Sequence, residues 1–316
     1  MGTLPQAKHL PVIDLRLEHL NSTSSTWVTT CGEVMRALEE YGCFIAMYDG
    51  VSQGLHDAIF HASQQLFDLP TEVKALDTAY PPSHGYIGAR PGAPFYEGLG
   101  IQNATTKQGI ERFEKLMWPS GNPSFSEGVL EYSKAVAELE HLVMRIIAKS
   151  YGIEENYESL LGSKTYLVRL MKYIIPQVKE NESIIGIYAH TDKTFTSLLD
   201  QYQVKGLEIK AKDGEWIEVN PLPSSFVFMA GDVCTAWTNG RIESPVHRVM
   251  MHGDKERYSV GIYAFIRDRK IEVPQQLVDE DHPLQYKPFY NCKLIDYFNT
   301  DEGKKSKYPL KSFCGI

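Results

Sequence analysis

A histidine and an aspartate two residues apart, His190 and Asp192, have the clearest capacity for chemistry in this sequence. In an extended chain alternate residues share a face, so these two side chains would point the same way and Thr191 the other. An imidazole beside a carboxylate can bind a divalent metal ion. His-x-Asp is short enough to occur by chance, however, so the pair alone does not establish a metal site.

A third metal ligand would have to come from elsewhere in the chain. The best candidate is His247, within Ser-Pro-Val-His-Arg-Val at residues 244–249. Two histidines and one carboxylate that leave the other coordination positions open form the facial triad of non-haem Fe(II) oxygenases. The residues therefore predict a three-ligand metal site.

Residues that could bind an organic anion follow ten positions after His247. On a strand, Arg257 and Ser259 share a face and can offer a guanidinium and a hydroxyl to one carboxylate. Tyr173, at the end of another predicted strand, could donate to the same anion. An isolated Arg-x-Ser is also typical of an exposed strand edge, and a buried Tyr usually packs in a core, so both alternatives stay open here.

Many short strands are predicted to position these side chains. Apolar residues with a period of two indicate strands at 166–173, 184–190, 206–210, 216–219, 226–229 and 257–266, with Gly, Pro and Asn turn signals between them. This pattern favours a sandwich or jelly roll. Towards the N-terminus, short strands are predicted at 8–16 and 43–48 with helices after each, then a long ordered loop at 80–100 and a long helix at 124–151.

The composition excludes several functional classes. The 316 residues are 43% hydrophobic and 23% charged, as in ordinary globular proteins, and the net charge of -8 argues against a partner nucleic acid or anionic membrane. The five scattered cysteines lack metal-binding spacing and suggest a reducing compartment. With no segment suited to a signal peptide or a membrane span, we expect a cytoplasmic protein, and we expect a monomer.

The motifs together resemble plant 2-oxoglutarate/Fe(II)-dependent dioxygenases of the isopenicillin N synthase-like superfamily. They keep order and spacing from about residue 10 to the end of the chain: HTD at 190–192, GLEI at 206–209, DGEW at 213–216, PLP at 221–223, GD at 231–232, WTNG at 237–240, SPVHRV at 244–249 and RYS at 257–259. Segments 39–44, 84–86, 118–123 and 171–173 are similar to the branch that includes glucosinolate side-chain dioxygenases.

The resemblance implies an α+β fold with a mainly β core, a double-stranded β-helix (jelly roll) flanked by N-terminal helices and one long helix. It implies an N-terminal dioxygenase region at 1–122, a connecting helix at 123–164, the jelly-roll domain at 165–270 and a C-terminal helical tail at 271–316.

The resemblance also implies the cofactors and their ligands. His190, Asp192 and His247 would bind Fe(II), and Arg257, Ser259 and Tyr173 would bind the cosubstrate 2-oxoglutarate. The implied reaction uses O₂ to convert 2-oxoglutarate into succinate and CO₂ while a small plant specialised metabolite is hydroxylated, desaturated or demethylated. Ascorbate would keep the iron reduced. Two alternatives remain: an iron-dependent oxidase that does not use 2-oxoglutarate, and an inactive jelly-roll binding protein.

Substrate contacts are less constrained by the motifs. The resemblance places an aromatic substrate contact at Tyr263, which strand alternation puts on the face of Arg257 and Ser259; a plain core role is its alternative. Five further aromatic residues could form the opposite wall of the pocket: Tyr86, Phe95, Tyr96, Phe113 and Trp118. One departure is Met171, which stands where many relatives have Asn, so any contact of that amide near the iron is lost or moved.

Overall fold

A computed structural model describes residues 8–19, 25–91, 93–175, 183–252 and 255–316. Within these residues the strands are β1 Val12–Asp14, β2 Cys43–Met47, β3 Tyr96–Gln102, β4 Lys164–Tyr173, β5 Ser183–His190, β6 Thr196–Tyr202, β7 Leu207–Lys210, β8 Trp216–Glu218, β9 Ser225–Ala230, β10 His247–His252, β11 Arg257–Ile266, β12 Lys270–Ile271 and β13 Phe289–Tyr290. The α-helices are α1 Ser25–Tyr41, α2 Gln53–Phe67, α3 Thr71–Lys74, α4 Lys107–Met117, α5 Pro123–Tyr151, α6 Glu154–Leu161, α7 Asp232–Trp237, α8 Asn291–Phe298, α9 Asp301–Lys305 and α10 Pro309–Cys314.

Seven strands form the major sheet, in the order β1-β2-β9-β6-β11-β4-β3. Its outer strands β1, β2 and β3 come from the N-terminal third, so this region extends the sheet as well as supplying helices. Strand β11 lies between β6 and β4 and pairs with β4 over its whole length, with Arg257 opposite Tyr173 and Tyr263 opposite Leu167. Because side chains alternate along a strand, this register decides which residues of β4 and β11 share a face.

A minor sheet of four strands, in the order β5-β10-β7-β8, completes the jelly roll. A hydrophobic cluster joins the two sheets and draws on both of them: Tyr96, Met171, Tyr173, Leu199, Val227 and Met229 from the major sheet, and Leu207, Ile209, Ile217, Val249 and Met251 from the minor sheet. We call the side of the major sheet that contributes to this cluster the inner face. The predicted jelly-roll fold is confirmed.

The other side of the major sheet, the outer face, is covered by helices. A second and larger cluster contains the alternate residues of the same strands, such as Leu170 and Val260, together with buried residues of α1, α2, α4 and α5. The separation into two clusters follows from strand alternation, because each strand sends every second side chain to the helices and the others to the minor sheet.

Helix α5 is the longest element, and it confirms the helix predicted at 124–151. The Asn122 side chain accepts a hydrogen bond from the Phe125 N–H at its start, and Gly152, with φ of 67°, ends it in the left-handed conformation. No helix in the described part of the chain combines the length and the apolar character needed to cross a bilayer.

The predicted strands at 184–190, 206–210, 216–219, 226–229 and 257–266 all exist within a residue or so of their predicted ends. The loop prediction at 80–100 is wrong at its end, because β3 begins at Tyr96; two glycines, Gly98 and Gly100, hide the strand pattern. Strands β6 and β10 were not predicted. The tail at 271–316 contains α8, α9 and α10, and also the short pair β12 and β13.

Candidate metal and cosubstrate site

The three predicted metal ligands come together at the edge of the minor sheet. His190 ends β5 and His247 begins β10, and the antiparallel register makes them direct neighbours, with ring centroids 4.3 Å apart. Asp192 lies in the loop just after β5 rather than on the strand. Its Oδ1 is 3.7 Å from His190 Nε2 and 3.8 Å from His247 Nε2. One ligand atom from each residue therefore converges on a common point.

Backbone carbonyls and a hydroxyl orient these three side chains. His190 Nδ1 lies 2.8 Å from the carbonyl oxygen of Tyr188, and His247 Nδ1 lies 3.2 Å from that of Pro245. A carbonyl oxygen only accepts, so each Nδ1 carries the proton and each Nε2 keeps its lone pair for a metal. The Ser197 hydroxyl donates to Asp192 Oδ2 at 2.6 Å, which leaves Oδ1 facing both imidazoles.

The electrostatic environment favours the metal-binding protonation states. Burial, with a further contribution from His247, lowers the pKa of His190 to about 4. Burial opposes ionisation of Asp192, but His247, His190 and the Ser197 hydrogen bond together lower the pKa of this carboxyl. Two neutral imidazoles beside one carboxylate are the donor set that suits Fe(II) with open coordination positions. The residues present therefore fit the metal.

Arg257 lies fully buried on the inner face of the major sheet, with 0% of its surface exposed. Its Nη1 donates to Ser259 Oγ at 3.1 Å, and its Nη2 donates to Gln201 Oε1 at 2.8 Å. The guanidinium carbon stands 4.9 Å from the centre of the Tyr173 ring, while Nε is buried without a partner. The structure thus brings together Arg257, Ser259 and Tyr173, as the sequence predicted.

Arg257 has only neutral groups around it among the described residues, since none of its nitrogens lies within ion-pair distance of a carboxylate. Burial therefore lowers the pKa of this guanidinium. Sequence analysis missed Gln201, whose Oε1 accepts from Arg257 and whose Nε2 donates to the Val219 carbonyl oxygen. An uncompensated buried guanidinium among hydroxyl and amide groups is typical of a carboxylate site.

Tyr263 also lies on the inner face, half-buried, and its ring folds back along β11 over Gly261. A Cβ at Gly261 would come within 2.6 Å of the Tyr263 Oη, so only glycine permits this ring position. Burial raises the pKa of Tyr263, Asp192 raises it further and Arg169 opposes the change. The phenol is therefore within electrostatic range of Asp192, and the role of Tyr263 as a substrate contact stays a prediction.

Of the five aromatic residues expected to form the opposite wall, only Tyr96 lies on the inner face with Tyr263 among the described contacts. Phe113 is 3% exposed and stacks on Phe125 of α5, and Trp118 packs against the same ring at 4.6 Å. Both belong to the helical cluster on the outer face, as does Tyr86, whose hydroxyl donates to Glu97. This placement corrects the expectation for Phe113, Trp118 and Tyr86, because the sheet itself lies between them and the inner face.

Phe95, the fourth of these aromatic residues, is half-buried directly before β3. Its carbonyl oxygen accepts from the Ile174 N–H, which extends the pairing of β3 with β4. The neighbouring Tyr96 points to the inner face and packs its ring against Tyr173, with centroids 5.3 Å apart. Tyr96 rather than Phe95 therefore lines the interior.

Two side chains of β4 complete the inner face beyond Tyr173. Met171 is buried opposite Ser259, so a thioether lies at this position of the inner face. Arg169 follows two residues away, opposite Gly261, and donates from Nε to the Tyr96 hydroxyl at 2.7 Å. Sequence analysis did not single out Arg169, although it stands four residues before Tyr173 and therefore on the same face.

The fold and the site together match a known class of enzyme. Residues 165–264 match the 2OG-Fe(II) oxygenase superfamily, and residues 10–107 match the N-terminal region of non-haem dioxygenases in morphine synthesis. The chain belongs to the 2OG-Fe(II) oxygenase superfamily.

Curated relatives match over nearly the whole chain. The chain is 40% identical over 312 residues to the probable 2-oxoglutarate-dependent dioxygenase AOP1.2 of Arabidopsis thaliana, with 97% of this chain and 96% of the relative covered. It is 30% identical to the 2-oxoglutarate-dependent dioxygenase AOP3 of the same plant, with 97% of each covered.

Solved structures with the same fold include two plant dioxygenases for auxin oxidation. The Arabidopsis thaliana enzyme in complex with 2-oxoglutarate has a TM-score of 0.78 at 28% identity, covering 87% of this chain and 99% of that one. The rice enzyme has a TM-score of 0.81 at 27% identity, covering 97% and 100%. These matches confirm the family, the fold and the enzyme class that the motifs predicted.

Proposed function

We propose that this protein is an Fe(II)- and 2-oxoglutarate-dependent oxygenase that oxidises a small plant metabolite. The observation that carries the proposal is the convergence of His190 Nε2, His247 Nε2 and Asp192 Oδ1, each oriented by its own hydrogen bond. Bound iron would supply the redox chemistry that couples the decarboxylation of 2-oxoglutarate to oxidation of the substrate by O₂.

The chain's own contribution begins with holding the metal. Deprotonated Nε2 atoms of His190 and His247 and the Asp192 carboxylate supply three ligands and leave the other positions to cosubstrate and O₂. The hydrogen bonds to Tyr188, Pro245 and Ser197 keep these ligand atoms aimed at one point.

Arg257 would hold the distal carboxylate of 2-oxoglutarate. Its buried guanidinium lacks a charged partner among the described residues, and Ser259 and Tyr173 lie against it as further donors. Since the site is shielded from solvent, a charge-assisted hydrogen bond there is stronger than in water. The relatives' names, and the auxin-oxidation enzyme solved with 2-oxoglutarate, support the same cosubstrate.

The organic substrate would lie on the inner face beside Tyr263, where the phenol is in electrostatic range of Asp192. We propose a plant specialised metabolite that is hydroxylated, desaturated or demethylated, and the similarity to 2-oxoglutarate-dependent dioxygenases of Arabidopsis thaliana supports a plant metabolite. We further propose that the protein acts as a cytoplasmic monomer with ascorbate as reductant; its five free cysteines suit a reducing compartment.

Product analysis tests this function. The purified protein, supplied with Fe(II), ascorbate and 2-oxoglutarate, is incubated with a plant small-molecule extract and compared with the same mixture lacking 2-oxoglutarate. We expect at least one metabolite to gain an oxygen, lose a methyl group or lose two hydrogens only when 2-oxoglutarate is present, with succinate formed alongside. Metabolite oxidation without 2-oxoglutarate would instead support an iron-dependent oxidase.

A further inference from the structure

The inner face of the major sheet buries two guanidiniums, and the cosubstrate accounts for only one of them. Arg257 and Arg169 are 0% and 7% exposed, and within the described ranges neither has a carboxylate oxygen within 4 Å. A buried charge without a counter-ion is costly, so such a group is expected to meet an anion in the functional state. The proposed 2-oxoglutarate site satisfies Arg257 and leaves Arg169 unexplained.

The contacts of Arg169 leave one side of its guanidinium open. Nε donates to the Tyr96 hydroxyl at 2.7 Å, and Nη1 donates to the carbonyl oxygens of Ser83 and Gly85 at 2.6 and 3.2 Å. Nη2 is buried and has no hydrogen-bond partner. The Tyr96 hydroxyl accepts from Nε, so its own proton is available to the same ligand. The Nη2 group of Arg169 and the hydroxyl of Tyr96 can therefore both donate to an oxyanion.

Glycines surround this guanidinium where side chains would otherwise fill the space. Arg169 is paired with Gly100 on β3 and with Gly261 on β11. At Gly98, a Cβ would come within 3.0 Å of Arg169 Nη2 and closer still to the Tyr96 hydroxyl. A side chain at Gly261 would displace the ring of Tyr263. The absence of these side chains keeps Arg169 and Tyr263 facing the same interior.

Among the residues that the structure describes, no acidic side chain forms an ion pair with Arg169. The Asp77 carboxyl is in electrostatic range of Arg169, but the two side chains form no ion pair or hydrogen bond, and Asp77 Oδ2 and Arg169 Nη2 are each buried without a partner. Glu97, which follows Tyr96, points to the outer face and pairs with Lys74 at 2.7 Å. In the described part of the molecule Arg169 thus has no direct ion pair, and its hydrogen bonds go only to neutral oxygens.

We propose that Arg169, with the Tyr96 hydroxyl, binds an anionic group of the organic substrate, so that the substrate class is an organic acid. This proposal rests on the oxygenase function argued above. The anion is a carboxylate or a comparable oxyanion, and Tyr263 lies between it and the metal ligands. Arg169 is then a residue that determines substrate specificity, separate from Arg257.

Strand geometry argues for two separate anion sites. Arg257 lies opposite Tyr173, and Arg169 is four residues from Tyr173 along β4. The contacts of the two guanidiniums lie on opposite sides of the β11–β4 pair: Arg257 donates to Gln201 of β6, whereas Arg169 donates to Tyr96 of β3. Asp192 is also held from β6, by Ser197. A short dicarboxylate held between Arg257 and the metal ligands would therefore lie on the β6 side and leave Arg169 for a second molecule.

The test uses the purified enzyme with Fe(II), ascorbate and saturating 2-oxoglutarate. A plant small-molecule extract is divided by anion exchange into an anionic and a neutral fraction, and the stimulation of succinate release by each is measured. A portion of the anionic fraction is treated with diazomethane, which converts carboxylates into neutral methyl esters. We expect stimulation by the anionic fraction only, and loss of that stimulation after methylation if the anion is a carboxylate. If the methylated portion still stimulates succinate release, the stimulating anion is an oxyanion other than a carboxylate, such as a sulfate ester.

Three variants separate substrate binding from a structural role. Arg169→Gln keeps an N–H donor for the Ser83 and Gly85 carbonyls but removes the charge, and stimulation should fall about 30-fold or more in kcat/KM. Arg169→Lys, which keeps the positive charge, should recover part of the stimulation by the anionic fraction. Tyr80→Phe is the matched control. Tyr80 precedes Ser83 and Gly85 in the loop that Arg169 contacts, but its side chain is 74% exposed and its hydroxyl donates to Asp296. The Tyr80 variant should respond to the anionic fraction like wild type.

Substrate-free succinate release and its 2-oxoglutarate dependence are measured in every variant. Their retention in Arg169→Gln, with loss of stimulation, supports the proposal. Stimulation by the neutral fraction, stimulation by neither fraction, or equal stimulation of wild type and Arg169→Gln would overturn it. A rise in the 2-oxoglutarate KM of Arg169→Gln would overturn it too, by assigning Arg169 to the cosubstrate. Failure of the oxygenase function itself is distinguishable, since wild type would then release no succinate without extract.

Discussion

Replacing Arg257 by Met should weaken the binding of 2-oxoglutarate without unfolding the protein. Arg257 has no charged partner among the described residues, so its loss leaves no carboxylate unpaired. Gln201 Oε1, which accepts from Arg257 Nη2, still accepts from the Leu207 N–H at 3.3 Å. The 2-oxoglutarate-free variant should therefore unfold at the wild-type temperature or above it, because a buried charge has been removed.

The loss of Arg257 should instead lower the affinity for 2-oxoglutarate. Loss of one partner from a buried, hydrogen-bonded charge pair costs about 2–5 kcal/mol. At 1.4 kcal/mol per factor of ten, the KM for 2-oxoglutarate should rise roughly 30-fold to 4,000-fold. Ser259→Ala removes only the hydroxyl that accepts from Arg257 at 3.1 Å, so it should give a smaller rise in the same direction.

Substrate-free succinate release against 2-oxoglutarate concentration measures this effect, and thermal unfolding with and without 2-oxoglutarate gives an independent check. Wild type should be stabilised by saturating 2-oxoglutarate, and Arg257→Met should not be at the same concentration. If the Met variant reached saturation at the wild-type 2-oxoglutarate concentration, Arg257 would not bind the cosubstrate.

Three further predictions concern the surroundings of the site. Ser197→Ala removes the donor to Asp192 Oδ2 and should weaken Fe(II) binding about 10- to 100-fold in an anaerobic titration; an unchanged Kd would show that this hydrogen bond does not orient the ligand. Burial raises the pKa of Asp77 to about 6. The contribution of this carboxyl to the free energy of unfolding is therefore fully present below about pH 4 and is lost as the pH rises through 6. Asp77→Asn should accordingly gain up to about 3 kcal/mol over wild type in urea unfolding at pH 8 and little at pH 4, whereas a relative loss at pH 8 would contradict the assignment. Tyr263→Ala should lower substrate-stimulated turnover while substrate-free succinate release persists; unchanged turnover on the identified substrate would return Tyr263 to a packing role.

Strand alternation accounts for the features that could be predicted from the sequence. It placed Arg257, Ser259 and Tyr263 on one face of β11, and the structure has all three there. The long helix was predicted because its apolar stripe is uninterrupted between a capping Asn and a terminal Gly. Strand β3 was missed because Gly98 and Gly100 remove the alternation. Gly98 leaves space for Tyr96 and Arg169, and Gly100 leaves space for the His84 carbonyl group.

Phe113 and Trp118 were expected in the pocket on the inner face but lie on the outer face of the major sheet, and this error has a different cause. A helix or loop pattern shows which residues are buried, but it does not show against which face of a sheet they pack. That choice depends on the register and handedness of strands far away in the chain. Likewise Gln201 could not be linked to Arg257 from sequence, because their contact follows from the pairing of β6 with β11 rather than from any local pattern.

The most direct test of the account is the release of succinate from 2-oxoglutarate by the purified protein with Fe(II), ascorbate and O₂, compared with His247→Ala. His247 is the buried ligand that arrives from a different strand, so its loss breaks the three-ligand set while leaving His190 and Asp192 in place. The account predicts iron-dependent succinate from wild type and none above background from a folded His247→Ala protein. Equal release by the two proteins, or none from folded, iron-loaded wild type, would contradict it.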